Sequence, residues 1–123
     1  MTRRGLQGLA ALAVIAILST AAIAEGQGRY SVNGTSAKDK SNYEGVVILT
    51  KTGKMIWRVI EVVGKSTREG FGVGDGRVIT ISFVAADGST AVALYIANSN
   101  GSYTGIWARE GDVEVSTETL KPE

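Results

Sequence analysis

The residues best suited to acid–base chemistry in this chain are carboxylates: Glu61, Glu69, Glu114 and Glu118 lie in or near β-branched runs. Two carboxylates held across adjacent strands could cleave a glycosidic bond at the right separation, but nothing in the spacing aligns such a pair. The sequence contains no histidine and no cysteine. It therefore lacks the Ser-His-Asp and Cys-His machines, nearly all zinc sites and histidine-held haem. The run Gly70-Phe71-Gly72-Val73-Gly74-Asp75-Gly76 suggests a phosphate loop at first sight. It matches neither GxGxxG nor GxxxxGK(S/T), and no helical pattern follows it, so it reads as a strand entering a hairpin turn. Asp75, Asp87 and Asp112 could offer oxygens to calcium at turns, but without the EF-hand spacing. The expectation is a protein without catalysis, cofactor or metal site.

Glu118, in Thr117-Glu118-Thr119-Leu120, has two readings. One is a solvent-facing residue of an alternating strand, since glutamate is seldom buried. The other is a barrel clasp near the end of the last strand, its carboxylate accepting backbone N–H groups or pairing with Arg109 at the rim. Trp57, Trp107, Tyr43, Tyr95 and Tyr103 are the candidate core or pocket residues. The tryptophans could floor a ligand pocket, although in a small domain they more often simply fill the core. Lys38, Asp39 and Lys40, together with Asn98 and Asn100, stand in polar loops and are the candidate rim contacts.

The elements that must position these residues follow from punctuation. Gly53, Gly64, Gly76, Gly88, Gly101 and Gly111 recur at steps of about 10–13 residues, a spacing that reads as consecutive hairpins. Asp75-Gly76, Asp87-Gly88 and Asn100-Gly101 supply the positive φ angles that tight turns need. The runs between them, 29–33, 42–51, 54–63, 66–74, 77–84, 90–97, 102–109 and 112–120, read as strands, with Pro122 after the last has ended. Helix is the competing reading for 46–63, but its apolar residues lack a 3.6 period and are mostly β-branched. Such strands close into a single antiparallel up-and-down barrel of about eight strands, or split into a two-sheet β-sandwich. Short connections favour the barrel. Gly45, Gly70, Gly72 and Gly105 fall inside strands, where glycine marks a bulge, a bend or a close approach. Alternation places Ile79, Ile81 and Phe83 on one face, Tyr103, Gly105 and Trp107 on another, and Trp57 with Val59 on a third.

The N-terminus has the three parts of an export signal: Arg3 and Arg4, an apolar run over 9–18, and Ala22-Ile23-Ala24 ahead of Glu25. The apolar run spans about 15 Å as a helix, half the hydrocarbon core of roughly 30 Å, so cleavage is expected rather than anchoring. Paired arginines leave general and twin-arginine export both open. The expected organisation is a signal peptide over 1–24 and a small β-barrel domain over 25–123, in the periplasm or secreted. Without disulfides such a domain relies on core packing alone, which leans towards a bacterium. Of 13 basic residues, loss of Arg3 and Arg4 leaves 11 against 12 acidic ones. With no basic cluster, neither nucleic acid nor an anionic membrane is expected as partner.

The stretches Tyr30-Ser31-Val32-Asn33-Gly34, Tyr43-Glu44-Gly45-Val46-Val47-Ile48, Ile56-Trp57-Arg58-Val59, Gly70-Phe71-Gly72-Val73-Gly74, Tyr95, Tyr103-Thr104-Gly105-Ile106-Trp107 and Thr117-Glu118-Thr119-Leu120-Lys121-Pro122 follow one another in order. In this series the chain resembles a family of short exported bacterial β-proteins, mostly uncharacterised, some of whose members carry the label fibronectin-binding protein. The chain departs from the family's pattern in having Tyr103 where leucine is common and Ser116 where glycine is common. The resemblance implies adhesion to a host matrix protein. The functional expectation is an exported, non-catalytic binding protein whose partner is another protein, in an adhesin-like or inhibitor-like role. The alternatives are a carrier of a small apolar ligand in the barrel mouth and a structural envelope protein.

Overall fold

Residues that alternate between β-branched or aromatic and polar types form strands here almost without interruption. The computed structural model describes residues 26–85 and 87–123, so the expected signal peptide over 1–24 lies outside the described residues. The strands are β1 (Gly28–Thr35), β2 (Asn42–Gly53), β3 (Ile56–Val63), β4 (Ser66–Gly74), β5 (Val78–Val84), β6 (Thr90–Ala97), β7 (Tyr103–Arg109) and β8 (Ser116–Pro122). They form a closed barrel in sequence order, every neighbour antiparallel, with β8 pairing back onto β1 from Tyr30↔Pro122 to Thr35↔Thr117. Closure leaves no edge, which decides between the two architectures open to the sequence.

The last strand differs from its expected bounds. Residues 112–115 are not strand. The Asp112 carboxylate accepts a hydrogen bond from the Arg109 backbone N–H, and the Asp112 N–H donates to the Arg109 carbonyl, so a tight turn forms where a strand was expected. At the other end β8 includes Pro122, opposite Tyr30. A proline is tolerated at the final position of a ladder, where the next residue can take over: the Glu123 N–H donates to the Arg29 carbonyl.

Alternation carries the expected faces inward. Ile79, Ile81 and Phe83 are buried, as are Trp57, Val59, Tyr103 and Trp107. Both tryptophans belong to one continuous core. Two strand glycines have a direct reason. A side chain on Gly72 would run into the carbonyl oxygen of Thr80, so β4 lies against β5 more closely than any other residue permits. A Cβ on Gly105 would stand 2.7 Å from the Tyr95 ring and 3.1 Å from Cγ of Glu118, so that glycine makes room for two large inward side chains.

In a meander the connections alternate between mouths. The β1–β2, β3–β4, β5–β6 and β7–β8 connections share the first mouth, while β2–β3, β4–β5 and β6–β7 share the second. The second mouth is closed by aromatic side chains bonded to backbone. Tyr30 Oη donates to the Gly26 carbonyl at 2.5 Å, Tyr103 Oη to the Gly76 carbonyl at 2.5 Å, and Trp57 Nε1 to the Gly74 carbonyl at 2.9 Å. Tyr103 packs edge-on against Tyr30 and Tyr95, with centroids 5.6 and 6.5 Å apart.

Candidate functional site

Two features stand out: a charged plug inside the first mouth and an apolar wall outside β4–β7. The plug starts from strand register. Glu61 follows Trp57 and Val59 on the inner face of β3, and the β3–β4 hairpin pairs it directly with Arg68. Glu61 is 1% exposed, and its Oε1 accepts hydrogen bonds from Nε of Arg68, at 3.0 Å, and from the second guanidinium nitrogen. The Arg68 guanidinium lies between the rings of Phe83, at 4.5 Å, and Trp107, at 5.1 Å. Arginine suits such a place, since it stacks on aromatic faces while its fork holds a carboxylate. Burial opposes the cation, but the Glu61 carboxylate outweighs it and holds Arg68 above its ordinary pKa.

Glu118 enters the same plug from β8. It is 3% exposed, so the solvent-facing reading is overturned. The clasp reading gave Glu118 backbone N–H groups or Arg109 as partners; its partners are instead two tyrosine hydroxyls. Glu118 Oε1 accepts from Tyr43 Oη at 2.6 Å, and Oε2 from Tyr95 Oη at 2.8 Å. Arg109 instead lies 5.4 Å over the Trp107 ring. Glu118 pairs in register with Gly105, four residues before Arg109 at the rim end of β7, so distance along the strand keeps the two apart. Trp107 Nε1 donates to Tyr43 Oη at 2.7 Å, which completes a chain from Trp107 through Tyr43 and Glu118 to Tyr95.

The charge balance of the plug is informative. Two carboxyls, Glu61 and Glu118, interact electrostatically with each other and with one cation, Arg68, which pairs with Glu61. Glu61 Oε2 has no hydrogen-bond partner among the described residues. A proton on Glu118 restores neutrality and gives the pair the donor it lacks. Burial pushes the Glu118 pKa up to about 7, the Glu61 charge adds to the rise, and the tyrosine hydroxyls only partly offset it. Tyr43 and Tyr95 are themselves raised, first by burial and then by the Glu118 charge, so both remain neutral donors.

A pH dependence follows. The ordinary glutamate value is 4.5 and the folded value about 7. Neutral Glu118 therefore contributes stability that is complete below pH 4.5 and lost as pH rises to about 7. By linkage the loss across this window is about 3 kcal/mol. Glu118→Gln, neutral at every pH, should flatten that part of the profile. Urea denaturation at pH 4.5, 5.5, 6.5 and 7.5 checks both, and a wild-type stability that rises across the window would refute the shared proton.

Above the plug lies a crevice of about 210 Å³, lined by Ser36, Tyr43, Glu61, Ser66, Arg68, Trp107 and Arg109. Of the residues expected in a core or pocket, Tyr95, Tyr103 and Trp57 are sealed in the interior, and Tyr43 and Trp107 form the plug. Trp57 closes one mouth and Trp107 the other, so the two do not floor one pocket.

The rim contacts do not form one group. Lys38, Asp39 and Lys40 stand at the first mouth, Asn98 and Asn100 at the second, because the odd run of strands from β2 to β6 separates their connections. Several of them are engaged locally. Asp39 Oδ1 accepts from Ser41 N and Oγ, Lys40 pairs with Glu114 at 3.3 Å, and Asn98 and Asn100 bond Ser102.

The apolar wall was not singled out in the sequence. Register aligns Phe71 with Ser82, Val92 and Ala108 across β4–β7, and Val73 with Thr80, Leu94 and Ile106. All point outward. Phe71 is 67% exposed, Val92 61% and Val73 58%. With Val115 they enclose an open hollow of about 550 Å³ whose floor is set by the short side chains of Thr80 and Ser82. No side chain of these two rows is charged. The opposite wall, β8 and β1, presents Asn33, Thr117 and Lys121. The signal was present in β6, apolar on both faces, and in β4, where Phe71 and Val73 alternate with glycine.

No protein-family model matches the chain, and no curated protein matches it.

Proposed function

We propose that this chain is an exported, non-catalytic protein-binding module of the bacterial envelope or exterior, and that it binds through the outer wall of β4–β7. The observation that carries this reading is the exposed apolar surface of that wall, where the rows through Phe71 and Val73 carry no charge. Contiguous exposed apolar patches of several hundred Å² mark interaction sites on soluble domains. The apolar outer surface is broken by the Arg58–Glu69 ion pair and by the polar β8–β1 face, unlike the continuous apolar belt of a lipid-facing barrel, whose interior is polar where this one is mostly apolar. The carrier alternative is less well supported. Aromatic and aliphatic side chains occupy the interior, and the crevice at the first mouth has a charged floor that suits an apolar ligand poorly.

The test is site-specific photocrosslinking in the producing cell. Phe71→p-benzoylphenylalanine should give protein adducts on irradiation, and Thr119→p-benzoylphenylalanine, on the opposite wall, should give none. Adducts at position 119 with none at position 71 would move the binding face and overturn the assignment.

A further inference from the structure

The crevice at the first mouth has a chemistry that the outer wall lacks. Three charged side chains line it: Glu61, Arg68 and Arg109. Glu61 is engaged by Arg68, whose Nε and one terminal nitrogen both donate to Oε1. The other terminal nitrogen of Arg68, Nη1, makes no hydrogen bond among the described residues. Glu61 Oε2 is the one polar atom buried without a partner in the described side chains that are not exposed, so Nη1 opens to solvent. The hollows that Arg68 lines are those of the first mouth. Arg109 has less still to bind. Its guanidinium forms no ion pair and no hydrogen bond among the described residues, and Asp87, which lines a neighbouring hollow with it, does not reach ion-pair distance. It stands over the ring that Arg68 already faces, at 5.4 Å from the Trp107 centroid where Arg68 is at 5.1 Å. Two cations gathered at one indole repel each other, and an anion seated with them removes that repulsion.

The lining also indicates which anion. Two positive charges against one negative leave a single charge to balance, which suits a monoanion better than a doubly charged phosphate. Planar guanidinium forks match a planar carboxylate. Ser66 adds a hydroxyl, and Val63 and Trp107 add apolar surface. A volume of about 210 Å³ takes a carboxyl group with a short tail, not a long acyl chain.

We infer that the first-mouth crevice binds a carboxylate, from a short-chain acid or from the C-terminus of a peptide, with the Arg109 guanidinium and Nη1 of Arg68 as its donors. The site is separate from the β4–β7 wall, so it stands or falls independently of that binding face.

Titration of the exported chain at pH 6, where Glu118 holds its proton, tests it through the indole N–H signals of the NMR spectrum. The probes are sodium propionate, acetyl-trialanine with a free C-terminus, and the same peptide as its C-terminal amide. Carboxylate binding should move the Trp107 signal and leave that of Trp57, at the second mouth, in place. The amide should move neither. Arg109→Gln should weaken binding of the acids at least about tenfold. Lys54→Gln, which removes the same charge from the second mouth, should leave it unchanged. Both side chains are exposed, so both variants should fold. Propionate that binds as tightly as the peptide acid to within about tenfold, or more tightly, identifies a free acid as the ligand, and a peptide acid tighter than that margin identifies a chain terminus. A Trp107 signal that moves with neither acid at about 50 mM overturns the inference. So does an amide that binds as well as the acid, and so does wild-type affinity in Arg109→Gln.

Discussion

Arg68→Ala should lower the folding free energy by about 3–5 kcal/mol at pH 7.5, the cost of leaving a buried charge without its partner. The plug contains two carboxyls and one cation, so removing the guanidinium leaves Glu61, which is 1% exposed, beside Glu118 with nothing to balance them. The variant also loses the contacts of the guanidinium with the Phe83 and Trp107 rings. The cost should be smaller at pH 4.5, where Glu118 is neutral and adds no charge for the missing guanidinium to balance. Arg68→Lys should fall between, because it keeps the charge but not the planar fork that both stacks and bonds. Urea denaturation at the two pH values reads all of this. A loss below about 1 kcal/mol at pH 7.5 would show that the pair is not buried as described.

Trp107→Ala should cost a similar amount, about 3–5 kcal/mol, through the cavity left by the largest side chain at the first mouth. The indole is 6% exposed, packs edge-on to Tyr43 with centroids 6.4 Å apart, and donates the hydrogen bond that orients the Tyr43 hydroxyl toward Glu118. Its loss therefore empties space and loosens the glutamate at once. Trp107→Phe keeps most of the apolar volume and loses the N–H, so it should cost clearly less. Equal losses for the two variants would mean that the hydrogen bond, not the packing, holds the mouth.

The local half of this structure is legible along the chain. Asp-Gly and Asn-Gly pairs demand turns, since few other residues take a positive φ cheaply, and Gly76, Gly88 and Gly101 do take it. Between turns, the period of two that separates Ile79, Ile81 and Phe83 from their polar neighbours determines which side of each strand is buried. Short connections between consecutive strands then leave little but a meander, and a meander of eight strands closes. The signal for the plug was also available: a two-residue turn at Gly64-Lys65 makes Glu61 and Arg68 register partners on the face of Trp57. What a linear reading does not provide is the third member. Glu118 is 57 positions from Glu61 in sequence, and only closure of β8 onto β1 brings it through the barrel to Tyr43, Tyr95 and the Glu61–Arg68 pair.

The outer wall depended on closure for the same reason. Apolar residues on both faces of a strand are ambiguous until the inner face is assigned, and Gly70, Gly72 and Gly74 on the inside of β4 force Phe71 and Val73 outward. Composition, turn chemistry and alternation, which act over a few residues, determined the strands, their order and the absence of histidine and cysteine chemistry. Which charges meet, which mouth each loop serves and which apolar residues remain in water were decided by tertiary structure, because those are relations between strands far apart in sequence whose shear and closure bring them to one place.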